Sequence, residues 1–101
     1  MLLDGLYEVL EKSQNKVVVK LDNKNHPIFK AHFPTQPILP GFTYFDIASQ
    51  IFDINITNIK KSKFLKPALP EQVLVFERSN NKFKIICNDE QIANFVLWIS
   101  V

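Results

Sequence analysis

Two side chains able to move protons, His32 and Asp46, stand fourteen residues apart. Between them runs Phe33-Pro34-Thr35-Gln36-Pro37-Ile38-Leu39-Pro40-Gly41. Prolines at 34, 37 and 40 each fix φ and remove an amide donor, so the connection is stiff and extended. A stiff loop from a histidine to the start of a helix is a device for positioning that histidine, whose ring titrates near neutral pH. Asp46 lies four residues before Gln50, which puts both on one helix face. Two readings of this carboxylate stand open. It points to solvent on the one wet stripe of the helix, or it is desolvated and its pKa rises. His32 taken alone has a structural reading as well. A proline-rich ligand for an SH3-type domain is disfavoured, because the segment is interleaved with Phe33, Ile38 and Leu39.

Other chemistries lack their residues. Gly5 and Gly41 are the only glycines, so no phosphate-cradling loop or dinucleotide fingerprint can be written. His26, His32 and Cys87 have no zinc-type spacing, and no metal or other cofactor is expected. No serine sits in a G-x-S-x-G elbow. Cys87 falls in the apolar run Lys84-Ile85-Ile86-Cys87 and reads as a small buried hydrophobe.

The elements that must hold His32 and Asp46 follow from patterning. Strands are expected at 6–10, 16–21, 58–65, 72–77, 82–88 and 92–100, with turns at Ser13-Gln14-Asn15, Ser79-Asn80-Asn81 and Asn88-Asp89-Glu90. Short turns between most of them favour an antiparallel sheet. Gly41 to Phe52, opened by Pro40, reads as the one helix. Its apolar residues fall around nearly the whole circumference, which predicts burial on most sides. The fold class is α+β, an antiparallel sheet wrapped around one central helix.

With 101 residues, 47% hydrophobic and 22% charged, the chain is expected to form a single domain over 1–101. A net charge of +2 is too small to argue for nucleic acid or a membrane surface. No apolar run approaches the roughly 20 residues of a membrane-spanning helix. No signal peptide is visible after Met1, and the lone cysteine suits a reducing compartment, so a cytoplasmic location is expected.

The run Ala31-His32-Phe33-Pro34-x-x-Pro37-Ile38-x-Pro40-Gly41, with Asp46 and Gln50 following, resembles the signature of the FabZ/FabA-type 3-hydroxyacyl-(acyl carrier protein) dehydratases, which have the hotdog fold. The likeness extends outward. Leu2 to Leu21 resembles the family's first strands, Pro27-Ile28-Phe29-Lys30 the segment before the histidine, and Lys63-Phe64-Leu65-Lys66-Pro67-Ala68-Leu69-Pro70 the strand after the helix.

The resemblance implies a dimer of hotdogs, or a higher oligomer, in which the histidine of one subunit faces the helix carboxylate of the other. It assigns His32 as the base that takes the α-proton of a 3-hydroxyacyl thioester, and Asp46 as the acid that assists departure of the hydroxyl. The Gly41 amide would bind the thioester oxygen, with glycine letting the substrate approach the backbone. The Ile38 carbonyl would orient the imidazole, and Gln50 would support the carboxylate or simply pack. Phe42 and Phe45 are candidate walls of the acyl tunnel. Lys60, Lys61, Lys63 and Lys66 would dock an acidic acyl carrier protein, unless they form only a solvated face.

This sequence departs from the family pattern at several places. Ala31 stands where glycine is usual, Asp46 is the shorter acid of the FabA branch, and Phe42 does not match that branch's cysteine. Glu71-Gln72 replaces the usual Gly-Asp. The chain reads as lacking the segment before the first strand, which fits an ApeI-like or other short variant of a fatty-acid, lipid or polyene pathway. Two rival expectations remain: a hotdog acyl thioesterase in which Asp46 activates water, and an acyl-thioester binding module without turnover.

Overall fold

The computed structural model describes residues 3–31, 33 and 35–100. Six strands and two helices follow in the order β1 (Tyr7–Lys12), β2 (Lys16–Leu21), α1 (Pro27–Ala31), α2 (Gly41–Phe52), β3 (Asn55–Phe64), β4 (Val73–Ser79), β5 (Lys82–Cys87) and β6 (Glu90–Ser100). All strand pairs are antiparallel, in one sheet of order β1-β2-β4-β5-β6-β3. The α+β class read from the sequence is the class observed. Among the described residues, no helix is long and apolar enough to cross a membrane.

The register explains the core. Val17 pairs with Phe76, Phe76 with Ile85, and Ile85 with Ala93, so one row of side chains lies on a single face across four strands. That face carries Val19, Leu74, Phe83, Phe95 and Leu97 as well, all essentially buried. It packs against Tyr44, Ile47, Ala48 and Ile51 of α2. Phe83 and Phe95 stack with ring centres 5.4 Å apart, and Phe45 meets Phe95 edge-on at 4.9 Å.

The helix spans the expected residues, but its burial is less complete than its composition predicts. Thr43, Tyr44, Ile47, Ala48 and Ile51 are buried, whereas Phe42, Asp46 and Gln50 are exposed. The exposed three lie four residues apart and form one stripe. The sheet covers one side of α2, and the stripe of Phe42, Asp46 and Gln50 on the other side is exposed.

The small helix α1 was not expected. Its signal is Pro27 at the first helical position, where a missing amide hydrogen costs nothing. His26 caps it: Nδ1 accepts the Ile28 amide at 3.1 Å, and Nε2 lies 2.8 Å from the Asp4 carbonyl oxygen. Both ring nitrogens are engaged, so the ring ties the start of α1 to the segment before β1. The expected turns recur with left-handed residues at Asn80, Asn88 and Asp89, types that tolerate positive φ.

Candidate active site

α2 opens without a side-chain cap, because Pro40 occupies the position where serine or aspartate would accept an amide. Thr43 compensates in part by turning back: its backbone N–H and its hydroxyl both donate to the Pro40 carbonyl. The loop before the helix is tied down where Leu39 donates to the Ala68 carbonyl at 2.8 Å. This contact joins the helix opening to the connection between β3 and β4. The first-turn amides otherwise have no partner within the helix, and the helix dipole makes this end positive.

Beside this opening lies a cavity of about 320 Å³, lined by Ile38, Leu39, Gly41, Tyr44, Phe64, Leu65, Lys66 and Pro67. Its walls are almost wholly apolar. Tyr44 is buried, and burial, with Cys87 nearby adding to it, pushes its phenol up to about 12 against a backbone hydrogen bond at Ala68. It therefore stays neutral at physiological pH. Cys87 is buried in β5 as expected, and burial, then the charge of Glu90, raises its thiol pKa.

The sequence-derived residues divide among three places. Ile38, Gly41 and Lys66 line the cavity. Asp46, Phe42 and Gln50 lie on the exposed stripe of α2, and Phe45 sits between, half-buried against Phe64 and Phe95. Gln50 takes a partner that local spacing cannot reveal: the Tyr7 hydroxyl, 43 residues away, donates to its Oε1. His32 lies outside the described residues, as does Pro34.

The lysines separate too. Lys61 and Lys63 stand opposite Val96 and Asn94, on the sheet face turned away from α2. Lys60 Nζ lies 5.5 Å from the centre of the exposed Trp98 ring. Lys66 Nζ is 2.6 Å from Glu90 Oε2, an exposed pair in which its charge is already met.

Sequence reasoning did not single out Phe64. It is the last residue of β3 and lies opposite Ala93 on the helix-facing side. A Cβ placed on Gly41 would stand 3.0 Å from Phe64 Cζ and 3.3 Å from each Cε. The Phe64 ring therefore lies across Gly41 and leaves little room there for a side chain. The signal available was the Lys63-Phe64 pair within the strand motif after the helix.

Comparison with known proteins places this geometry. A family model described as ApeI-like, ApeI dehydratase, matches residues 9–95. The 3-hydroxyacyl-(acyl-carrier-protein) dehydratase FabZ of Caldanaerobacter subterraneus subsp. tengcongensis is 33% identical over 63 residues, covering 62% of this chain and 44% of its own length. The bifunctional enzyme LpxC/FabZ of Chlorobaculum tepidum is 31% identical over 103 aligned positions, covering 86% of this chain and 22% of its own. The chain thus spans less than half the length of these two relatives. Among solved structures, the dehydratase heterocomplex ApeI:P from Xenorhabdus doucetiae contains a chain matching with TM-score 0.68 at 20% identity, over 93% of this chain and 95% of that one. The PaaI protein of the E. coli phenylacetic acid degradation operon matches with TM-score 0.62 at 13% identity, over 95% of this chain and 84% of that one. Those structures share the hotdog architecture found here, with its antiparallel sheet and central helix. By its sequence match and its fold, the chain belongs to the ApeI-like family of hotdog dehydratases, related to FabZ.

Proposed function

We propose that the chain, as one hotdog domain, dehydrates a 3-hydroxyacyl thioester carried on acyl carrier protein to the trans-2-enoyl thioester, in cytoplasmic fatty-acid or related lipid synthesis. The observation that carries this reading is the pairing of an uncapped helix opening on an apolar cavity with Asp46 exposed on the same helix. His32 is the base: it takes the proton from C2 of the substrate. Charge builds on the thioester oxygen, which accepts from the Gly41 amide at the positive end of α2. The electron pair then closes the C2–C3 double bond as the C3–O bond breaks. Asp46 gives the departing hydroxyl a proton, and water leaves.

An exposed Asp46 is suited to act across an interface. The proposed assembly is a homodimer, in which the Asp46 stripe of one copy meets the His32 loop of the other. A heterocomplex like ApeI:P is the alternative assembly. Of the four lysines, Lys61 and Lys63 are the better carrier-docking candidates, since Lys66 is paired with Glu90 and Lys60 covers Trp98.

The test is turnover of a 3-hydroxybutyryl thioester, on carrier protein and on coenzyme A, followed as enoyl product and as free thiol. His32→Ala and Asp46→Asn should each lower enoyl formation by roughly 10²–10⁴-fold. Thiol release that survives His32→Ala would instead make the protein a thioesterase. Binding with neither product would leave an acyl-binding module.

A further inference from the structure

The geometry points to Phe64 as the residue that decides which acyl chains the cavity accepts. This rests on the acyl-thioester reading of the site and goes beyond it. Gly41 is not in the left-handed region, where among the glycines only Gly5 lies, so its backbone would accept any residue. Space is what limits it, since a Cβ would press on the ring at 3.0 Å, inside the normal 3.5–4.0 Å carbon contact. The same ring is 48% exposed, stacks on Tyr44 at 5.8 Å and 22°, and meets Phe45 edge-on at 6.4 Å. It is therefore fixed on two sides and open on the third, where it forms a wall of the cavity. Ala93 across the strand pair is too small to replace it as a wall.

An acyl thioester whose carbonyl meets the helix opening must lay its first carbons along this ring. Among the described lining residues the polar groups are Lys66, whose charge is met by Glu90, the Tyr44 phenol, which has a backbone hydrogen bond at Ala68, and the Gly41 amide; the rest of the wall is apolar. The substrate side chain is therefore an apolar one, and its length and branching are limited by the ring. Removing the ring extends the slot toward Tyr44 and Phe45.

Binding of butyryl and decanoyl pantetheine thioesters, which lack the 3-hydroxyl that dehydration removes, measured by calorimetry, tests this without requiring turnover. In Phe64→Ala the decanoyl-to-butyryl affinity ratio should rise by roughly tenfold or more, the scale on which apolar pockets discriminate chain length, and in Phe64→Leu by less. An unchanged ratio in both variants would overturn the proposal, as would failure of the wild type to bind either thioester. Gly41→Ala should lower the melting temperature in the wild type and do so far less in Phe64→Leu, where the ring is gone. An equal loss in both backgrounds would count against the contact itself. A wild type that binds with the expected ratio shift in Phe64→Ala, yet forms no enoyl product, would sink the dehydratase reading and leave Phe64 in its role.

Discussion

At its C-terminal end α2 closes on itself, whereas its N-terminal end is held by segments from elsewhere in the chain. Asp53 takes a left-handed conformation there (φ 52°), and its amide and that of Ile54 both donate to the Ser49 carbonyl. The Ser49 hydroxyl donates to the Ile54 carbonyl at 2.7 Å. Every contact lies within six residues. The opening end has no such local closure. It relies on Ala68 accepting from Leu39, on Phe64 lying over Gly41, and on the β3–β4 connection, where the Glu71 amide donates to Asp22 at 3.0 Å. An end that satisfies itself has nothing left to offer a ligand. The end braced from outside keeps its amides and its cavity.

The two ends share one anchor, and removing it should blur the contrast. Ile47 is fully buried midway along α2, so Ile47→Ala should cost about 2–5 kcal/mol by urea unfolding. A loss well under that would mean the ends, not the middle, hold the helix. Alkaline pH should act on the opening end through Tyr44. The Tyr44 phenol is raised in the folded state to about 12 from 10, so the unfolded chain releases this proton first. Its contribution is complete below pH 10 and is lost as pH rises through about 12, giving a decline in stability that Tyr44→Phe should lessen, leaving the part due to Tyr7 and Cys87, whose ionisation burial also opposes. An equal decline in Tyr44→Phe would assign it to other groups. The smallest effects come from two of the left-handed residues, Glu71 (φ 67°) in the brace and Asp53 at the far end. Glu71→Gly should gain about 1 kcal/mol and Asp53→Gly about half as much, because aspartate tolerates positive φ better than glutamate. A gain at Asp53 exceeding that at Glu71 would reverse this ranking of strain.

Glu71 also shows what could be read in advance. The family's glycine at that place is visible as a departure in the sequence, but that the backbone keeps positive φ without it is not. Strand β2 was legible in full, since Lys-Val-Val-Val-Lys-Leu carries β-branched residues throughout. The helix 41–52 was legible from Pro40 and its apolar content. The start of β3 was not: it begins at Asn55 rather than 58. Those polar residues are held by partners far along the chain, Asn55 on Ser100 and Thr57 on the Trp98 carbonyl. The same physical reason hid Tyr7 from Gln50, Lys66 from Glu90 and Phe64 from Gly41. Local spacing places residues on a face, and only the sheet order brings distant faces together. The helix stripe fared likewise, because composition counts apolar residues without saying which side the sheet will cover.

The single thiol of the chain, buried in β5 beside the core row, makes the protein its own stability gauge. A water-soluble alkylating reagent gains full access to Cys87 when the end of the β5–β6 hairpin opens, and no second sulfhydryl competes for it. The ratio of its labelling rate to that of a free thiol then gives the opening equilibrium of this end of the sheet under native conditions. Comparing that equilibrium with the global unfolding constant would tell whether the sheet yields as one cooperative unit or sheds its edges first.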